Sequence, residues 1–143
     1  MCSILHDVYI NKIPAIVFDA ITTANVLCSW WTLNSSGSPV LHSVYRFYFS
    51  PEYDWRGTVT HVEYAKSIAW KMTHADDDWT DTSFGFNLNP HAGGTLVEFY
   101  HRDWNSTNDH FRRSSYCWAM YLYLLKRYVE LKEITPYSER NFA

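Results

Sequence analysis

Residues 112–133 read RRSSYCWAMYLYLLKRYVELKE, with no glycine or proline to interrupt them. Trp118, Leu122, Leu125 and Val129 recur at steps of four, three and four, so in a helix they share one stripe. Cys117, Met120, Tyr121, Leu124 and Tyr128 widen that stripe well past a third of the circumference. Charge is confined to the ends and to a narrow strip holding Arg112, Arg113, Lys126, Arg127 and Glu130. A helix resting on a flat surface does not need so wide an apolar face, whereas one lying across a concave sheet does. The stretch therefore predicts a long terminal helix gripped by a sheet, an arrangement suited to enclosing a ligand.

Working outward, the preceding chain supplies that sheet. Residues 40–49 (VLHSVYRFYF) alternate, with Tyr45, Phe47 and Phe49 on one side. Two more strands, 55–65 and 67–72, turn around Ala65-Lys66. Residues 80–89 point Phe84, Phe86 and Leu88 inward. Residues 95–104 alternate Val97, Phe99 and His101 against Leu96, Glu98 and Tyr100. The turn at Gly93-Gly94 between the last two runs is a strong hairpin signal. Residues 3–10 predict a first strand. Pro14 suits the first turn of a short helix, and Thr23 caps a second, ANVLCSWW, that ends in Trp30-Trp31. NSSGSP from Asn34 reads as a loop. Strands grouped between helices at either end indicate α+β architecture: a curved antiparallel sheet of about six strands around a long C-terminal helix, with two short helices after the first strand.

The chain has 143 residues, a length that fits one domain with its own core. Aromatic residues make up 18% of it, so the interior is built largely of rings. Tyr and Trp carry a polar atom that needs a partner when buried, which suits either an ordinary core or an apolar cavity wall with a few polar points. The net charge of −3 argues against nucleic acid as the main partner. No stretch reaches the length of an apolar membrane span. The N-terminus has neither the basic start nor the apolar run of a signal peptide. The three cysteines, Cys2, Cys28 and Cys117, form no paired or zinc-binding pattern. Cys28 and Cys117 fall on apolar helix faces as small buried hydrophobes, and a cytoplasmic location fits them.

Four segments in order carry a resemblance. PAIVFDAITTANVLCSWW (14–31) has a proline, a V-[FW]-x-A-[LI]-T helix and a closing Trp-Trp. GTVTHVEYAKSIAWKM (57–72) and LNPHAGGTLVEFYH (88–101) are its two hairpins, and CWAMYLYLLKRYVE (117–130) is its closing helix. Together, over about residues 5–131, they resemble the START-like (SRPBCC) superfamily with its helix-grip, Bet v 1-like fold. Within it, the chain is most similar to the activator of heat-shock protein 90 ATPase homologue-like family. The resemblance implies a single START-like domain over 1–143, with a cavity between sheet and long helix for a small hydrophobic or amphipathic molecule. No phosphate loop or dinucleotide fingerprint appears, so no cofactor is expected. These 143 residues leave no length for the additional chaperone-binding domain of eukaryotic activators. Residues 34–54 depart from the pattern: NSSGSPV and SPEYDW replace a glycine-rich entry into the second strand.

The expected cavity wall follows from strand parity. Phe47, Val59, Ile68, Trp70, Phe84, Phe86, Val97, Phe99 and His101 face inward from the sheet. Trp118, Tyr121, Leu122 and Leu125 meet them from the helix. Trp30-Trp31 close one end, with one ring inward and one on the surface. The seven histidines are scattered singly, so no metal site is indicated. His101 is the best candidate for chemistry, as a ligand hydrogen bond or a proton carrier with Tyr121; an inward histidine is also commonly a satisfied core residue. Asp76-Asp77-Asp78 reads as a solvated turn. Arg46 and Glu98 have outward parity.

Three functions remain open. The first is a binding module for a small hydrophobic molecule. The second is a polyketide cyclase- or dehydratase-like enzyme using His101 and Tyr121. The third is a chaperone cofactor or other protein-binding domain with an exposed patch at Trp79, Trp104 or Tyr137. The first is preferred, which makes the chain more a carrier than an enzyme.

Overall fold

The computed structural model describes residues 1–140. Strand β1 (Cys2–Ile10) is followed by helices α1 (Pro14–Thr22) and α2 (Ala24–Trp30). Strands β2 (Asn34–Ser36), β3 (Val44–Ser50), β4 (Tyr53–Glu63), β5 (Ser67–His74), β6 (Ser83–His91) and β7 (Gly94–Trp104) come next, then helix α3 (Asp109–Leu131). All strands join one antiparallel sheet in the order β1-β7-β6-β5-β4-β3-β2. This is the helix-grip arrangement, with seven strands rather than about six. The additional strand, β2, lies in the stretch read as a loop. Three residues of Asn and Ser carry no alternation, and pairing with β3 rather than propensity makes them a strand.

Local chemistry sets the boundaries. Asn108 caps α3, its Oδ1 accepting from the Phe111 N–H at 2.9 Å, so the helix starts at Asp109, ahead of the apolar stripe. It ends where Lys132 turns left-handed at φ 57°. Thr23 does occupy the N-cap of α2 but makes no side-chain cap bond there. The β6–β7 turn is Ala92-Gly93, both with positive φ, as a two-residue type I′ hairpin demands. Two register shifts between β4 and β5 leave an extra residue in each strand, Thr60 in β4 and Thr73 in β5, and such bulges bend a sheet.

The stripe residues Trp118, Leu122, Leu125 and Val129 are all buried against the sheet. At the far end, Lys126 Nζ donates to the Tyr9 carbonyl and to Glu130, whose carboxylate accepts the Asn11 N–H, tying α3 to β1. Tyr45 Oη donates to the Thr22 carbonyl at 2.7 Å, and Trp30 Nε1 to the Ala20 carbonyl at 3.1 Å, so the short helices are pinned to the core through the polar tips of rings. Trp30 and Trp31 are both buried, with rings stacked 6.0 Å apart. The expected surface ring at this pair is absent because the following chain turns Trp31 inward to Phe47 and Trp118. Cys28 and Cys117 are only half-buried.

On the outer face, Gly85 lies opposite Tyr100, whose ring covers the bare backbone. A Cβ at Gly85 would sit 2.7 Å from the Ile68 carbonyl oxygen, a backbone atom that cannot swing away. Gly85→Ala is expected to lower stability by about 1–3 kcal/mol. A fall in urea midpoint at unchanged slope checks it.

Candidate functional site

Next to its buried stripe, and sharing Trp118 with it, α3 carries a row of Ser114, Cys117 and Tyr121, spaced by three and four residues. That row faces the open end of the grip, where the sheet no longer touches the helix. Opposite stand Trp31 after α2, Phe49 on β3, Tyr53 and Trp55 on β4, Trp79 from the β5–β6 connection, and Tyr137 beyond α3. Together they line a cleft of about 700 Å³. Its floor is rings, and Asp76, Asp109, His110 and Arg113 stand at its rim.

The interior beneath the cleft is filled. Trp118 has its ring centroid 4.4 Å from Phe99, 4.9 Å from Trp31 and 5.5 Å from Phe84. Of the residues expected to face a ligand, Trp118 and Tyr121 reach the cleft. Trp30, Phe47, Val59, Ile68, Trp70, Phe84, Phe86, Val97, Phe99, Leu122 and Leu125 are buried in one contiguous core. Trp79 and Trp104, expected on the surface, are buried as well. Trp79 stacks on Trp118 at 6.0 Å and reaches Trp55 at 4.7 Å, so a residue in an irregular connection becomes cleft wall. No periodicity could announce it, and a lone Trp after three aspartates was its only signal.

The aspartates themselves are not simply solvated. Asp76 Oδ1 accepts the Trp79 N–H at 3.0 Å. Asp78 accepts from His110 Nδ1 at 2.9 Å and from Asn108 Nδ2 at 3.1 Å. The hydrogen bond from His110 holds the Asp78 carboxyl below its usual range. This turn therefore docks on the start of α3 and fixes Trp79 over the helix. Behind Trp31 and Tyr137, Arg140 is buried and donates to the carbonyls of Cys28, Trp31, Thr32 and Thr135, at 2.7–3.3 Å. It satisfies the free C-terminal carbonyls of α2 and, through its Tyr137 stacking contact, holds the chain after α3 beside the cleft. Among the described residues no three His, Cys, Asp or Glu side chains converge to hold a metal ion, and no helix is long and apolar enough to cross a membrane. Arg46 and Glu98 do lie on the outer face, engaged by Asp54 and Asn89.

The family model described as Activator of Hsp90 ATPase homolog 1-like protein matches residues 13–130. The chain belongs to that family. A solution structure of the Aha1 dimer from Colwellia psychrerythraea is 30% identical, covering 92% of this chain and 98% of that one, with TM-score 0.84. An AHSA1-like protein from Aeromonas hydrophila is 21% identical over 92% of this chain and 94% of its own, with TM-score 0.74. CalU16 from Micromonospora echinospora is 18% identical over 91% and 77%, with TM-score 0.72. The latter two likenesses speak to the fold. No curated protein matches the chain.

In this member of the Aha1-like family, His101 is wholly buried and stands apart from the cleft. Trp118 Nε1 donates to its Nδ1 at 3.1 Å, so the ring proton belongs on Nε2, which meets Thr82 Oγ1 at 2.8 Å. Thr82 passes its own proton to the Trp79 carbonyl at 2.6 Å. The imidazole is thus a neutral link between β7, α3 and the β5–β6 connection. It faces inward as its strand parity predicts, and its partners are a threonine and an indole. Burial, helped by nearby His110, pushes its pKa down to about 3 from 6.5. Tyr121, on the cleft wall, has its hydroxyl pushed up to about 12, mainly by burial.

A buried neutral histidine makes stability depend on pH. The unfolded chain takes up the proton near pH 6.5 and the folded chain resists until about 3, so stability is full above pH 6.5 and falls on acidification through that window. The slope is at most about 1.4 kcal/mol per pH unit. Carboxylates such as Asp78 add their losses only below about pH 4. Urea unfolding at pH 5.0, 5.5, 6.0 and 6.5 is expected to show the loss in the native chain and a flatter profile in His101→Gln, which keeps a donor and an acceptor but does not titrate.

Proposed function

We propose that residues 1–143 form a single START-like domain that holds a small, flat, apolar or amphipathic molecule in the cleft at the open end of the grip. The observation that carries this reading is the cleft wall: Trp31, Phe49, Trp55, Trp79, Trp118 and Tyr121 present rings to about 700 Å³ of open space, and charged groups stand only at its edge. Pockets for small molecules have this character of an apolar body with few polar points. Ring faces favour flat partners over flexible chains, because stacked and edge-to-face contacts add to the burial of area. The three free cysteines fit a reducing, cytoplasmic setting for such a protein.

The cyclase-like alternative with His101 as proton carrier draws no support from the geometry. Both imidazole nitrogens are engaged and burial keeps the ring neutral. A protein-binding role as in the family's name called for exposed rings at Trp79, Trp104 or Tyr137; Trp79 and Trp104 are buried and Tyr137 is half-buried on the cleft wall.

Native mass spectrometry of freshly purified protein is expected to show a bound small molecule that denaturation releases, and Nile red is expected to bind saturably at one site. Cys117→Trp places an indole in the cleft from a half-buried position and is expected to abolish both signals while leaving the melting temperature within a few degrees. A bare mass together with no saturable Nile red binding would sink the reading.

A further inference from the structure

Ser114 is the one hydroxyl-bearing helix residue that is both buried and part of the cleft wall, at 6% exposure. Its Oγ accepts the Trp79 indole N–H at 3.2 Å. A serine inside a helix ordinarily gives its own proton to the carbonyl four residues back. Here that acceptor would be His110, and no such bond forms; among the described residues no other acceptor receives the Ser114 proton. The Trp79 bond also fixes the oxygen, because the lone pair facing Trp79 is occupied and the O–H must point elsewhere. The hydroxyl proton is thereby left to point into the cleft, where an acceptor on a bound molecule can take it in place of solvent.

The other surfaces of the cleft narrow what that partner is. The floor is rings, so the body is flat and apolar. At the rim, Asp76 and Asp109 accompany Arg113, which gives an anionic head no net positive charge to meet. The deep polar point is a hydroxyl donor fixed by an indole.

Building on the ligand-binding reading above, we infer that the cleft selects a neutral, flat, ring-built molecule bearing a carbonyl oxygen, and that Ser114 Oγ–H donates to that oxygen. Ser114 is then the residue that sets specificity. Trp79 acts through it, as the group that orients its hydroxyl, and the packed rings supply most of the affinity without discriminating oxygenated from plain ligands.

A pair of probes of one shape separates these contributions. Fluorene and 9-fluorenone are neutral tricycles that differ by one carbonyl oxygen, and quenching of tryptophan fluorescence follows the binding of each. Ser114→Ala is expected to weaken 9-fluorenone by roughly three- to tenfold, the range of one neutral hydrogen bond, while fluorene changes by less than about twofold. Fluorene thereby reports that the variant still folds its cleft. Ser114→Thr, which keeps a hydroxyl, is expected to retain the affinity for 9-fluorenone relative to fluorene. Equal weakening of both probes in Ser114→Ala, or no change for 9-fluorenone, overturns the role of Ser114 and leaves the cleft a ligand site. Failure of both probes to bind the native chain overturns the ligand-binding reading, and this inference with it.

Discussion

The indole of Trp118 is the point on which the structure turns. It is the meeting place of the terminal helix, the sheet and both connections that cross the open end. Its ring lies against Phe99 on β7, Phe84 on β6, Trp31 after α2 and Trp79 from the β5–β6 connection. Its N–H is spent on His101, which in turn holds Thr82. Burying an indole contributes a few kcal/mol through area alone. The hydrogen bond adds less to the net, but it makes the position exclusive: any other side chain there leaves a buried imidazole nitrogen without its donor. One residue thus sets the rotation of α3 and the seat of the β5–β6 connection together.

A core made of rings has a consequence for where open space can exist. Phe47, Trp70, Phe84 and Phe86 form a continuous series of stacked and edge-to-face contacts across the inner sheet. Large rigid groups fill a concave sheet to interior density more readily than aliphatic chains of the same number, so the middle of the grip closes. Among the described residues Trp70 Nε1 and Trp104 Nε1 have no hydrogen-bond partner, although each indole meets neighbouring rings edge-on. The cleft lies where helix and sheet diverge, at the end capped by loops.

Sequence alone disclosed the fold to the extent that periodicity did. The stripe at Trp118, Leu122, Leu125 and Val129 has the spacing of a buried helix face, and all four are buried. Tyr45, Phe47, Phe84, Phe86, Val97 and Phe99 have strand parity, and all are buried. Periodicity states which face is covered, however, and not whether what covers it is protein or a void. For that reason, most residues assigned to a cavity wall are packed core. The features that shape the cleft are aperiodic. Trp79 follows an acidic turn, Arg140 lies past the helix end, and β2 has no apolar pattern at all. Ser114 looks in sequence like any serine near a helix start, and its bond to Trp79 comes from a distant segment.

This division bears on how such a domain acquires a specific ligand. The sheet and the inner stripe of α3 are committed to one another through packed rings, and a change there costs stability before it changes recognition. The cleft is assembled instead by the β5–β6 connection, the start of α3 and the chain held down by Arg140. Each is fastened by a few polar bonds, Asp78 to His110 and Arg140 to the α2 carbonyls among them. Recognition carried on connections over a rigid base separates specificity from folding. On the proposed function, the helix-grip core is a platform, and the side chains that would meet a ligand, Ser114 and Trp79 foremost, are those that the connections bring to its open end.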